Sequence, residues 1–123
     1  DNFDISGTIA YNDQKSSIYI TNIRYCGEED NTNYKTIECI LYETDQNIER
    51  KISSYRYESE ESIRLEEFLQ MVTLTVDNYN QICSDYSSNH LYLSINATDY
   101  DDRTTTYKIP LSLASSCVYE ISS

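Results

Sequence analysis

Two acidic segments contain the residues whose types and spacing are best suited to bind a metal ion. Asp99, Asp101 and Asp102 directly follow a strongly alternating stretch, and Glu29 and Asp30 follow an earlier one. Carboxylates at alternate positions after a strand can converge on a hard cation, and calcium takes about six to eight oxygen ligands. If both segments lie at one end of the fold, they form a candidate calcium site. The alternative is a pair of polar turns whose side chains cap backbone groups.

The cysteines indicate structural disulfides more than metal or redox chemistry. Cys26, Cys39, Cys83 and Cys117 include no Cys-x-x-Cys pair, so neither a zinc ribbon nor a thioredoxin-like site is indicated. An even number of cysteines in a short chain favours two disulfides in an oxidising compartment over four buried thiols. Strand order mildly favours Cys26–Cys39 with Cys83–Cys117, and the spacing leaves the other pairings open. A sequon that begins at Asn96 predicts glycosylation and the same secreted or lumenal location.

Catalytic chemistry has little support, and no catalytic residue is predicted. A serine or cysteine nucleophile needs a positioned base, but His90 is the only histidine and lies in a polar turn before a strand. Two glycines cannot build a phosphate-binding loop. Several glutamates in the middle of the chain are interpreted as a solvated face: Glu58, Glu60, Glu61, Glu66 and Glu67. A carboxylate-based hydrolase, which needs two such groups across one cleft, ranks last among the functions.

Apolar residues that alternate with polar ones predict the elements that position these groups. The clearest case is Leu91, Leu93, Ile95 and Ala97, which place apolar side chains on one face of a strand. The predicted strands cover residues 3–11, 18–25, 34–43, 48–57, 72–76, 91–97, 104–113 and 118–121. About eight short strands joined by polar segments indicate an all-β, antiparallel β-sandwich. The length of 123 residues predicts one domain over 1–123.

Two local features depart from simple alternation. Four apolar residues fall at helical spacing: Leu65, Phe68, Leu69 and Val72. This spacing predicts one or two helical turns within residues 60–71, with Ser62 as a candidate N-cap. Pro110 lies inside a predicted strand, and because proline cannot donate to a sheet ladder, that strand is expected at an edge or a bulge.

The charge of the chain excludes some partners. Twenty-one acidic and nine basic residues give a net charge of −12. Nucleic-acid binding needs clustered Lys and Arg, so it is not predicted. Direct binding to an anionic membrane is disfavoured unless a cation such as calcium mediates it. The ordinary effect of such a charge is to keep a domain soluble and monomeric.

The stretch of residues 91–101 resembles the sixth strand and the following loop of the C-two domain, an eight-stranded sandwich known for calcium-dependent lipid binding. Residues 5–12 and 17–23 are similar to the first two strands of that family. The resemblance implies that Asp99 and Asp101 are calcium ligands. The first binding loop of the family carries a Pro-Tyr pair that this chain lacks. Residues 97–101 are also similar to a strand of cadherin repeats.

The leading prediction is a non-enzymatic, secreted or surface-exposed binding or structural module that needs no cofactor. It would act through a protein partner or self-assembly, on an exposed strand edge or on faces rich in tyrosine. Tyrosine, present 13 times, supplies broad contact area at low entropic cost. Ordinary cross-strand pairing is the alternative for most tyrosines, and joint exposure of Tyr92 and its neighbours would favour an interface. The second hypothesis is calcium-dependent membrane or ligand binding.

Overall fold

The computed structural model describes residues 2–11, 16–45, 47–79, 90–114 and 118–122. Within these ranges it has nine strands and one helix. The elements are β1 (Phe3–Tyr11), β2 (Ser16–Tyr25), β3 (Tyr34–Asp45), β4 (Ile48–Ile63), α1 (Leu65–Met71), β5 (Leu74–Tyr79), β6 (His90–Asp99), β7 (Thr104–Pro110), β8 (Ser112–Ala114) and β9 (Val118–Ser122). The predicted all-β sandwich is confirmed, with nine described strands instead of about eight.

The strands form two antiparallel sheets. The five-stranded sheet has the order β5-β2-β1-β9-β8, and the four-stranded sheet has the order β4-β3-β6-β7. The predicted alternation of β3 and β6 is confirmed, because their inward-facing residues are at most 2% exposed: Ile37, Cys39, Leu41, Leu91, Leu93, Ile95 and Ala97. Phe3 and Ile5 of β1 bury their side chains in the same core from the other sheet. Burial of this apolar surface is the main favourable term in folding.

The stretch 104–113, predicted as one strand, is divided between the two sheets. β7 ends at Pro110 on the edge of the four-stranded sheet, and β8 begins at Ser112 on the edge of the five-stranded sheet. Leu111 connects them and donates its amide proton to the carbonyl of Leu91 at 2.9 Å. The edge position of Pro110 is confirmed. The single-strand prediction is wrong because the alternation continues across Leu111 while the chain changes sheets.

The predicted helix is confirmed over Leu65–Met71, and its residues Leu65, Phe68 and Leu69 are buried. The expected cap is wrong, since Ser62 still belongs to β4 and Arg64 is the N-cap. The amide of Arg64 donates to the carboxylate of Glu67 at 3.3 Å. Among the described residues, no helix is both long and apolar enough to cross a membrane.

Candidate functional site

The two acidic segments lie at the same end of the sandwich, here called the acidic end (residues 28–30 and 99–103). Tyr34, the first residue of β3, pairs with Asp99, the last residue of β6. The Tyr34 hydroxyl donates to Oδ2 of Asp30 at 2.5 Å. The ammonium group of Lys35 forms an ion pair with Asp102. The sheet register therefore brings together two segments that are about seventy residues apart.

The turn between β6 and β7 uses Asp99 to cap its own backbone. Oδ1 of Asp99 accepts hydrogen bonds from the amides of Asp101 at 2.9 Å and Arg103 at 3.0 Å. Asp102 adopts a positive φ of 62°, a conformation that Asp tolerates better than most residues. This is the polar turn considered as the alternative to a calcium site.

The first acidic segment contacts the guanidinium group of Arg64. Arg64 donates to Oδ1 of Asn31 at 2.9 Å and to the carbonyl of Asp30 at 3.4 Å, and it lies 3.5 Å from the carboxylate of Glu29. Burial alone would raise the pKa of Asp30, but hydrogen bonds from Tyr34 and Thr32 together with the Arg64 charge outweigh it and lower that pKa.

The acidic end does not fit a preformed calcium site. In the part of the chain that the structure describes, no three His, Cys, Asp or Glu side chains are grouped closely enough to hold a metal ion. Lys35 and Arg64 place two positive charges among these carboxylates, and like charge opposes a further cation. Calcium binding by Asp99 and Asp101 stays a prediction, without a ligand group to support it.

The favoured pairing of Cys26 with Cys39 is wrong. Both are free thiols: Cys39 is buried on β3 in the four-stranded sheet, and Cys26 is exposed just after β2 of the other sheet. Cys83 and Cys117 lie outside the described residues, as does the side chain of His90.

The sequon residue Asn96 lies in a central strand of the four-stranded sheet. It pairs with Glu38 on β3 and with Thr106 on β7. Its Oδ1 accepts a hydrogen bond from the Thr106 hydroxyl at 2.8 Å. Glycosylation of Asn96 stays a prediction.

The glutamates Glu58, Glu60, Glu61, Glu66 and Glu67 are all exposed, which confirms the interpretation as a solvated face.

Tyrosines of the four-stranded sheet pack against neighbours instead of forming an open aromatic surface. Tyr92 stacks on Tyr42 with ring centroids 5.0 Å apart, Lys108 lies 4.3 Å from the Tyr92 ring centroid, and the Tyr92 hydroxyl donates to Glu49 at 2.7 Å. Burial and the Glu49 hydrogen bond raise the pKa of Tyr92 to about 12. Because Tyr92 is only 8% exposed, the joint exposure that would favour a tyrosine interface is not found here.

Along one side of the edge strand β7, which the sequence placed only as an edge or bulge, the backbone groups pair with no strand of the described residues. The amide of Asp99 donates to the carbonyl of Arg103, and the amide of Leu111 donates to the carbonyl of Leu91. The β6–β7 register has no shift between these two bonds. Hydrogen-bonded pairs alternate in an antiparallel ladder. The backbone groups of Thr104, Thr106 and Lys108 therefore point away from β6, and no described strand pairs with them.

Two clefts flank β7. A cleft of about 400 Å³ on the outer face of the sheet is lined by Tyr92, Lys108, Pro110 and Leu111 among others. A cleft of about 250 Å³ between the two sheets is lined by Phe3, Tyr107 and Ile109 among others. An extended chain beside β7 would direct alternate side chains to these two faces, because strand side chains alternate with a period of two.

Comparison of the sequence with protein-family models and with curated proteins finds no significant match. The resemblance to C-two domains therefore stays a prediction.

The remaining clefts give no support to the hydrolase hypothesis. Two further clefts lie where α1 packs on β2; one includes Glu66 and the other no carboxylate. Among the residues that line the cleft beside Tyr92, Glu49 is the one carboxylate, and no carboxylate lines the cleft beside Phe3. Two-carboxylate hydrolysis needs a pair of acids across one cleft, and none of these four clefts provides it.

Proposed function

We propose that this chain is a non-enzymatic binding module in which an extended segment of a protein partner adds to β7 as a fifth strand of the four-stranded sheet. The observation that carries the proposal is the row of outward backbone groups at Thr104, Thr106 and Lys108. In strand addition, main-chain hydrogen bonds supply affinity and pockets for alternate side chains supply specificity.

The opposite edge of the same sheet is protected in a way that β7 is not. β4 has register shifts relative to β3 in two places, and it carries many charges: Glu49, Arg50, Lys51, Arg56, Glu58, Glu60 and Glu61. Bulges and charges are the usual means by which proteins block pairing at an edge. β7 has no bulge against β6, and Lys108 is its one charged residue. The contrast supports β7 as the docking edge.

The clefts beside β7 support the same proposal. An incoming strand would place side chains against Tyr92 and Pro110 on the outer face and against Phe3 and Tyr107 between the sheets. Burial of these apolar side chains stabilises a complex by roughly 25 cal/mol per Å² of apolar area removed from water. Main-chain pairing and apolar burial would thus act on the same segment.

We place this module in an extracellular or lumenal compartment as part of the proposal. The Asn96 sequon supports it. The intact mass of the protein purified from a eukaryotic secretory host, before and after glycosidase treatment, tests the use of Asn96.

A peptide titration tests the strand addition. The probe is an acetylated, amidated heptapeptide that alternates valine and threonine between terminal lysines. We expect it to shift the amide resonances of Thr104, Thr106 and Lys108 in ¹⁵N-edited NMR spectra. Thr106→Pro removes one outward N–H at a position where an edge strand tolerates proline, and one hydrogen bond contributes about 1 kcal/mol. The variant should therefore weaken binding about fivefold or more.

Thr106→Val is the matched control for this titration. It loses the hydroxyl that donates to Asn96 but keeps the backbone N–H, so peptide affinity should change little. Binding that is equally strong in Thr106→Pro, or resonance shifts confined to residues away from β7, would contradict strand addition at this edge.

A further inference from the structure

We infer that the segment that adds to β7 is basic, and that its cationic residue lies beside the turn formed by residues 99–103. This inference rests on the proposed function, because it names the chemistry of the partner at the same edge. The geometry of β7 limits the length of the partner segment. The charges around β7 determine whether that segment is basic or acidic.

The length follows from Pro110. Outward N–H groups are available at Thr104, Thr106 and Lys108, but Pro110 has no N–H and ends the ladder. The partner therefore pairs with about five residues of β7. One end of the partner lies near the cleft beside Tyr92 and Lys108, and the other lies next to the β6–β7 turn.

The two ends of β7 differ in charge. At the turn, Asp101 is exposed and its carboxylate has no partner among the described residues, while Asp102 is 77% exposed and shares the Lys35 ion pair. Arg103 is exposed in the same turn, so the three carboxylates of residues 99–102 outnumber the two cations by one. At the other end, Lys108 lies near Glu49 at 3.8 Å beside apolar walls from Pro110 and Leu111. A cation is thus favoured at the turn, and an apolar side chain is favoured near Lys108.

A second copy of this chain is a poorer occupant than a basic segment. Two copies that join their β7 strands would each bring a net charge of −12, and like charges within a Debye length of about 8–10 Å repel. A basic segment is attracted by the same field, which also speeds association. Charge complementarity therefore selects a basic partner over self-association.

The chain direction of the partner segment relative to β7 follows from the antiparallel pairing within both sheets. Every described strand pair is antiparallel, and antiparallel pairing is slightly more stable per residue than parallel pairing. A segment antiparallel to β7 has its C-terminal end beside Thr104 and Asp101. The cation is therefore expected at the C-terminal end of the segment.

Three peptides test this inference. All are acetylated and amidated and share a core that alternates valine and threonine; they carry a lysine at the C-terminal end, a lysine at the N-terminal end, or a glutamate at the C-terminal end. Affinities are measured by NMR titration in low salt and in 0.5 M NaCl. We expect the C-terminal lysine peptide to bind about three- to tenfold more tightly than the glutamate peptide in low salt, and the difference to shrink in high salt.

Asp101→Asn should reduce the advantage of the C-terminal lysine peptide. Glu60→Gln is the matched control, because it removes one exposed carboxylate from β4 on the opposite edge of the sheet, and it should leave that advantage unchanged. Stronger binding of the N-terminal lysine peptide would overturn the antiparallel direction.

The outcomes separate the inference from the proposed function. If the glutamate peptide binds as tightly as the lysine peptides and still shifts the β7 amides, the basic partner is wrong and strand addition stands. If no peptide shifts those amides, strand addition fails and the inference fails with it. If the protein alone dimerises with concentration and shifts the same amides, the occupant is a second copy and the basic partner is overturned.

Discussion

Tyr34 donates its hydroxyl proton to Oδ2 of Asp30 at 2.5 Å, which fastens the acidic segment after β2 to the start of β3. Tyr34 is 5% exposed, and burial together with the Asp30 carboxylate raises its pKa well above the ordinary value. The same contact helps to lower the pKa of Asp30. Because the backbone of Tyr34 also pairs with Asp99 in the β3–β6 ladder, one residue joins both acidic segments.

We predict that part of the stability of the domain is lost in acid through Asp30. Its pKa is lower in the folded than in the unfolded chain, so the unfolded chain binds more protons. The contribution is present above the unfolded value of 3.8 and is lost as pH falls through the lower folded value. Tyr34→Phe should lower the free energy of unfolding by about 0.5–1.5 kcal/mol at neutral pH and flatten its decline below pH 4, as measured by urea titration.

Tyr57→Phe is the control for this acid response. Its hydroxyl donates to the backbone carbonyl of Glu61 at 3.2 Å, an acceptor that does not titrate. The variant should leave the shape of the pH dependence unchanged. An equal flattening in Tyr34→Phe and Tyr57→Phe would mean that Asp30 does not govern this part of the pH profile.

We predict that Gly7→Ala destabilises the domain through a backbone clash. A Cβ at this position would lie 2.1 Å from the carbonyl oxygen of Tyr19 and 2.9 Å from Cα of Ile20. The β1–β2 register shifts between Ser6 and Gly7, so the close approach belongs to a bulge. The cost is about 1–3 kcal/mol, typical of overpacking. Ser54→Ala at an exposed site of β4 is the control, and a change of similar size there would remove the argument for a specific clash.

We predict that millimolar calcium does not raise the melting temperature beyond the effect of magnesium at equal ionic strength. Asp99 caps the turn, Asp102 pairs with Lys35, and Glu29 lies beside Arg64, so a cation would have to displace existing partners. Differential scanning fluorimetry checks this. A calcium-specific rise that is abolished by EDTA and in Asp101→Ala would instead establish the calcium-binding hypothesis.

We predict that Cys26 is alkylated in the native protein and that Cys39 reacts only after unfolding. Cys26 is exposed, whereas Cys39 is buried and its burial raises the pKa of the thiol to about 12, which suppresses the reactive thiolate. Peptide mapping after iodoacetamide treatment, with and without urea, assigns each site. A Cys26–Cys39 linked peptide in the non-reduced digest would contradict the thiol assignment.

Local pattern alone was enough to determine which residues form most strands and which of their faces is buried. The direction of a strand side chain depends only on its position along the chain, so the inward residues of β6 follow from Leu91, Leu93 and Ile95. Helical spacing predicted α1 for the same reason. Polar turns were the alternative considered at both acidic segments, and Asp99 caps the second of these turns.

Tertiary structure decided the division of residues 104–113 between two sheets, the extension of β4 through Ile63 and the burial of Tyr92. It also decided the partners of the carboxylates: Lys35 and Asp102 are 67 residues apart, and Arg64 is 33 residues from Asn31. Spacing along a chain carries no information about such distant contacts, because they depend on how whole sheets are ordered and registered. The same order left β7 at an edge, so the proposed docking site follows from the arrangement of the sheets and from no motif in the sequence.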